Sequence, residues 1–281
     1  MKIIYQTKNI FKSTNSFLFG LKGLSTLENE KSLEEIKSLK NNNIYLSIDK
    51  NLFNHDLKLL EEVLKKIDNY NIKGIFFYDL AVLSLAKKLG IKTNLIWNQN
   101  FLVTNYKTCN YYAKEGVKGA VLSSEITIEE IEEISKNINM TLFVNIFGYQ
   151  LMALSKRQLL TSYYDNYSIK TKTKTTLISE KENNYPVMES KIGTKFYTNK
   201  ILNGIIYLNK LKSWNIDYII LNDIGLEQET FQKIVRIYEQ VIDKDISDES
   251  LKKEEEKISK IIPNTSTLFL NKKTIYKVKR K

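Results

Sequence analysis

The chain has 281 residues, with 43 Lys and Arg against 32 Asp and Glu, a formal charge of +11 and a pI near 9.3. That length supports one large α/β domain or two small ones, and its single cysteine, Cys109, excludes an internal disulfide, a structural zinc site of thiolates or a four-thiolate cluster. No apolar run approaches the length of a bilayer span, so no membrane partner is expected. The leading MKIIYQTKNIFKS has no sustained apolar run with a small-residue cleavage site, so a cytoplasmic protein is expected.

The positive charge favours anionic partners, RNA among them, because each lysine or arginine meeting a phosphate releases counterions. Abundant Lys, Asn, Ile and Tyr also fit A/T-rich coding. With ten Gly and two Pro, no linker divides the chain before about residue 240.

Eight short apolar runs alternate with helical segments in the rhythm of parallel βα units. They are KIIYQ from Lys2, SFLFG from Ser16, IYLSI from Ile44, GIFFY from Gly74, TNLIW from Thr93, KGAVL from Lys118, TLFVNIF from Thr141 and DYIIL from Asp217. Eight is the barrel number, so the expected class is α/β, a (β/α)8 TIM-type barrel. The first βα unit is short and poorly helical. Ser32 with Glu35 and Thr127 with Glu130 fit capping boxes. Leu57, Leu60, Leu64 and Ile67, and later Ile128, Ile131 and Ile134, recur at helical spacing as inward faces.

TKTTLISE and YPVMESKIGTKFYT read as extended segments turning at Gly193, a β-hairpin inserted at about 170–200 between the seventh and eighth strands. The barrel, hairpin included, is expected over 1–243. Residues 244–281 read as a short extension, a charged spacer or solvated helix followed by a basic strand with Lys272, Lys273, Lys277, Lys279, Arg280 and Lys281.

Several positions invite a site at the strand ends. Glu125 follows the sixth strand, where it faces the mouth or caps the helix from Thr127; Asp79 stands likewise after the fourth. Lys156 and Arg157, beyond the seventh strand, could clamp a phosphate or carboxylate, or be plain surface. The lone His55 has no second histidine for a metal or triad and reads as a helix cap; no His-Glu-x-x-His spacing occurs, so no metal is expected. Cys109 falls inside an amphipathic helix and reads as packed. Lys170, Lys172 and Lys174, beside Tyr163, Tyr164 and Tyr167, set charges next to stacking surfaces suited to RNA.

The stretch from Trp97 to Asn166 resembles the central signature of peptidase family U32, the collagenase-like proteases that also include RNA-hydroxylation proteins. It combines Asn105, Glu125, Gly148, Met152 and the Ser155-Lys156-Arg157 run. FNHD at Phe53, YDLAVL around Asp79, YPVMESKIGT around Pro186 and the terminal KTIYKVK extend the likeness to nearly the whole chain.

The resemblance implies a barrel with its site at the carboxyl ends of the strands, using Glu125, Arg157 and Asp79 as catalytic candidates. Asn105, Ser155 and Lys156, with Lys170, Lys172 and Lys174, are the candidates for substrate binding. Hydroxylating members hold an iron-sulfur cluster on four cysteines. Here Gln158 and Asn203 stand at two of those places, none lies in YYDNYSIKTKTK, and Phe147 replaces a frequent histidine. Iron-sulfur sites select thiolates, so no cofactor is expected. The resemblance implies assistance in tRNA base hydroxylation, as a cluster-free subunit or RNA-binding partner of a cluster-bearing paralogue. A collagenase-like peptidase and an inert interaction protein are the alternatives.

Overall fold

The computed structural model describes residues 1–39 and 43–272. Along the chain come β1 (Lys2–Gln6), β2 (Ser16–Gly20), α1 (Leu33–Lys37), β3 (Asn43–Ile48), α2 (Asp56–Ile67), β4 (Ile72–Phe77) and α3 (Leu80–Leu89). Next are β5 (Leu95–Trp97), α4 (Tyr106–Lys114), β6 (Gly119–Val121), α5 (Ile128–Lys136), β7 (Thr141–Gly148), β8 (Leu151–Ser155) and α6 (Leu159–Asn166). The chain continues through β9 (Thr175–Glu180), β10 (Asn183–Ser190), β11 (Gly193–Tyr197), β12 (Ile201–Asn203) and α7 (Leu208–Ser213). It ends with β13 (Tyr218–Asn222), α8 (Gln228–Ile242), α9 (Asp248–Ile261) and β14 (Thr265–Ser266).

β1 to β7 pair in parallel in chain order, and β13 pairs with both β1 and β7, which closes an eight-stranded ring. All eight strands expected from the sequence are members of it. No helix intervenes between β1 and β2, in keeping with the abbreviated first unit. Among the described residues no helix is long and apolar enough to cross a membrane.

Because side chains alternate across a strand, each ring strand supplies residues to two cores. Outward-facing residues such as Ile3, Leu46, Phe77 and Leu142 pack under the helices, where α2 buries Leu60, Leu64 and Ile67 and α5 buries Ile128, Ile131 and Ile134. Inward-facing Ile4, Leu18, Tyr45, Phe76, Ile96, Val121, Phe143 and Ile220, one from each strand, fill the barrel centre. Phe143 lies edge-on to Tyr45 and Phe76.

Local chemistry sets the helix starts. Both expected capping boxes form: Ser32 and Thr127 accept from the amides of Glu35 and Glu130, whose carboxylates accept from the cap amides in return. His55 stands at the N-cap position just before α2 but makes no side-chain cap bond, contrary to the capping role expected of it; its ring stacks on Phe53 instead.

The insertion is larger than the hairpin expected at 170–200. β9, β10 and β11 form an antiparallel meander, and β8 adds to β11, giving a four-stranded sheet in the order β8, β11, β10, β9. β8 escapes sequence reading because three of its five residues are exposed and no alternation marks it. Gly193 opens β11 at φ +137°, where a Cβ would lie 2.0 Å from the Ser155 carbonyl oxygen; only glycine lets the strands approach so closely.

Within the stretch expected as a charged spacer or solvated helix, α9 is a capped helix, with Ser247 accepting from the Ser250 amide. Leu251 and Ile258, two turns apart, are buried on one face of an otherwise charged run. Apart from Lys272, the expected basic strand lies outside the described residues, as does the terminal KTIYKVK beyond that residue.

The insertion is pinned by Glu189 of β10, whose buried carboxylate accepts from the Thr161 amide (3.0 Å), Thr161 Oγ1 (2.5 Å) and Lys174 Nζ (2.6 Å). Burial alone would raise the carboxyl pKa, but the bonds from Lys174 and Thr161 outweigh it and hold the value at about 2. A folded-state pKa below the unfolded value of 4.5 contributes stability that is complete above about pH 4.5 and lost as pH falls toward 2. Glu189→Gln should therefore lower stability by about 1–3 kcal/mol at neutral pH. Urea unfolding should show that deficit shrinking below about pH 4.5.

Candidate functional site

One step of two residues beyond the apolar ring, toward the carboxyl ends of the strands, the inward positions are Gln6, Gly20, Ser47, Tyr78, Asn98, Ser123, Asn145 and Asn222. The barrel therefore passes within one layer from a hydrocarbon plug to a ring with four carboxamides. Above it opens a cavity of about 540 Å3 lined by Gln6, Ser47, Tyr78, Asn98, Asn145 and Asn222 of that ring. Asn51, Asn100 and Gln150 add three more amides from the loops, and Leu18, Phe76, Val121 and Ile220 form the floor.

Some of these amides serve the scaffold. Asn222 donates to the Phe147 and Tyr149 carbonyls at 3.2 Å, and Gln150 to the Gly148 carbonyl at 2.8 Å. Gly148 is required here: at φ +112° a Cβ would lie 2.3 Å from the Asn222 side chain. A register shift between β7 and β13 turns both Ile146 and Phe147 into the outer core. Phe147, at the place of the family's frequent histidine, thus packs on Phe231 and Tyr238 rather than facing the mouth.

The inserted sheet roofs the cavity with Leu151, Leu154, Ile192, Lys195 and Tyr197. Lys195 Nζ donates to the Thr26 carbonyl and ties the roof to the loop after β2. Burial pulls its pKa down, against the opposing pull of Asp49, Glu28 and Glu30. Asp49 is already engaged: it accepts from Ser25 and Thr26 hydroxyls, from the Thr26 amide at 3.0 Å and from Ser47 at 3.2 Å. Four lysines, Lys50, Lys156, Lys191 and Lys195, against the single carboxylate of Asp49 leave the lining cationic. Lys50 is committed to Asp56 at 2.7 Å.

Aromatic surface completes the rim. Phe53 and Phe101 are 50% and 38% exposed beside the cavity, and Lys156 Nζ sits 3.8 Å from the centre of the Phe53 ring.

Of the residues expected at the site, only Lys156 lines the cavity. Asp79 spends both oxygens on backbone amides, Ala81 at 2.9 Å and Leu52 at 3.0 Å, and caps α3. Asn105 caps α4 through the Thr108 amide at 2.9 Å. Glu125 lies in the turn between β6 and α5, one residue past the lining Ser124, with its amide donating to Ser123 Oγ. Ser155 Oγ accepts from the Arg157 amide, and the Arg157 side chain is exposed on the insertion. Lys170 lies exposed beyond α6, Lys172 pairs with Asp165, and Lys174 is the partner of Glu189.

Sequence reading missed Asn98, Asn145, Asn222 and Lys195. The first three carry a signal in retrospect: each lies two residues past an apolar inward residue of a barrel strand. Lys195 carried none, because its place depends on how the insertion folds back.

The residues present do not fit an iron-sulfur cluster. The chain's one sulfur nucleophile, Cys109, is buried in α4 with its thiol pushed up to about 11 by burial. Gln158 is exposed ahead of α6, and Asn203 is buried in β12, accepting from Tyr238 at 3.3 Å. Removing the Asp79 cap by Asp79→Ala should cost about 1–2 kcal/mol in thermal unfolding, the magnitude of a lost helix cap.

A model of peptidase family U32 matches residues 21–279. The chain is 26% identical over 258 residues to tRNA hydroxylation protein P2 of Bacillus subtilis, covering 86% of this chain and 84% of that one. It is 22% identical over 136 residues to tRNA hydroxylation protein P1 of the same organism, covering 48% and 32%. A solved U32 peptidase superposes with a TM-score of 0.48 at 9% identity, covering 79% of this chain and 92% of that one.

Proposed function

The chain belongs to peptidase family U32, and from that premise we propose that its barrel mouth holds an unstacked RNA base in the service of tRNA hydroxylation. The observation that carries this reading is the ring of carboxamides over an apolar floor, beneath lysines and an aromatic rim. Carboxamides present donor and acceptor side by side and match the edges of nucleobases. The volume of about 540 Å3 lies in the range of small-ligand sites and accommodates one nucleotide.

In this reading each group has a distinct task. Asn98, Asn145 and Asn100 read the base edge, Phe76 and Ile220 exclude water beneath it, and Phe53 or Phe101 stacks on an adjoining base. Lys156 and Lys191 meet phosphates at the rim, and Lys170 and Lys172 extend the cationic track over the insertion.

The protein acts as a cytoplasmic, cluster-free subunit that binds tRNA, while a cluster-bearing paralogue supplies the redox chemistry. Likeness to two differently numbered tRNA hydroxylation proteins of one organism supports a division of labour. Peptide hydrolysis has less support: the sole histidine, His55, is stacked on Phe53 at the rim, and among the described residues its side chain bonds to no hydroxyl or thiol that it could activate as in a triad.

Purified protein should bind tRNA with an affinity that falls steeply with salt, and Lys156→Ala or Lys191→Ala should each lower the log-log salt slope by about 1. Asn145→Leu should weaken binding without changing that slope. Indifference to tRNA at low salt would sink the reading. A second check is nucleoside mass spectrometry of tRNA from cells lacking the gene, where an unchanged profile would separate RNA binding from hydroxylation.

A further inference from the structure

The inserted sheet ends in an unpaired edge. In the order β8, β11, β10, β9, the outer side of β9 has no partner strand among the described residues. Its sequence, TTLISE, is rich in β-branched residues and lacks proline, and Leu177 and Ile178 are 60% and 44% exposed. Native edges are normally blunted by charge, proline or a bulge. β9 carries none of these within its first five residues.

The ladder fixes which backbone groups are free. β9 and β10 are joined by a two-residue turn between the paired Glu180 and Asn183, so these close the ladder as a hydrogen-bonded pair and bonded and non-bonded pairs alternate behind them. Thr176, Ile178 and Glu180 therefore face β10. Thr175, Leu177 and Ser179 point their amides and carbonyls to the open side. Pro186 stands opposite Leu177, at a non-bonded position where its missing N–H costs nothing.

We propose that this edge pairs with the same edge of a second copy of the chain, antiparallel and with the two-fold axis at Leu177. In that register Leu177 faces Leu177 of the second copy, and Thr175 and Ser179 face each other twice. Every outward amide and carbonyl of β9 is then satisfied. The same register sets Lys174 opposite Glu180 of the other copy and Thr176 opposite Ile178. A shift by two residues in either direction leaves outward groups of β9 unpaired or pairs them beyond the strand, and it moves the Lys–Glu contact outside β9, to Lys172 or Glu182.

Lys174 can serve both partners. Its ammonium gives two of its three hydrogens to Glu189 and Thr161, and its side chain is 63% exposed. A two-fold contact of this kind is isologous, using one patch twice, so it closes at a dimer. The inference is independent of the RNA reading, since none of these residues lines the mouth.

The test is the mass of the full-length protein in solution against concentration, by light scattering or sedimentation. The expected result is a concentration-dependent species of twice 32.8 kDa. Leu177→Pro removes the outward amide without touching the β9–β10 ladder and should weaken association at least tenfold, while circular dichroism and unfolding report that the fold persists. Glu180→Lys should weaken it in a salt-dependent way.

Cross-linking locates the axis. A hydrogen-bonded antiparallel pair has Cα atoms about 5.5 Å apart, within disulfide range, so Leu177→Cys should oxidise to a covalent dimer. Thr175→Cys, about 13 Å from its counterpart in this register by strand rise, should not. Native Cys109 is buried and does not compete. A single 32.8 kDa species at all concentrations overturns the proposal. So does a dimer that tolerates Leu177→Pro and forms no Leu177→Cys cross-link.

Discussion

The two-residue period of eight strands closed into a ring governs the rest of the molecule. Closure turns the inward residues of all eight strands onto one axis, so a change of residue type at successive inward positions becomes a change from apolar core to polar chamber. At Ile4, Leu18, Tyr45, Phe76, Ile96, Val121, Phe143 and Ile220 the level is apolar and water is excluded. Two residues on, it is dominated by Gln, Asn, Ser and Tyr. A polar chamber with a dry floor follows from that step alone.

The inserted sheet turns this open mouth into a roofed one. Glycine at 193 lets β11 approach the Ser155 carbonyl, and Glu189 with Thr161 and Lys174 holds α6 against the sheet. Lys195 then reaches across to the Thr26 carbonyl, beside an Asp49 whose oxygens are already taken by Ser25, Thr26 and Ser47. The lining ends up cationic because four lysines face the single carboxylate of Asp49. That electrostatic state arises from segments up to 169 positions apart in the chain.

Strands and helix starts were legible because their signals are local. Apolar runs of strand length, capping boxes at Ser32 and Thr127, and helical spacing of Ile128, Ile131 and Ile134 each act within one or two turns of chain. Asp79 was legible as a polar residue at a strand end and Asn105 through the family resemblance, but sequence could not separate a carboxylate or amide aimed at the mouth from one folded onto its own helix. The competition is decided by backbone amides within 3 Å, which side chains of this length reach when the residue before the helix is extended. β8 was not legible, because a strand exposed on both faces shows no alternation.

The amino-acid sequence by itself determined the eight-stranded barrel, the helices that clothe it and the family to which it belongs, since these rest on short-range periodicity and on motifs read along the chain. Only the tertiary structure decided which polar residues share a chamber. Asn98, Asn145 and Asn222 meet because ring closure turns inward positions of three strands far apart in the chain into one mouth, and Lys195 joins them because a glycine-dependent strand contact folds the insertion over it. Neither relation is written in the spacing of neighbouring residues.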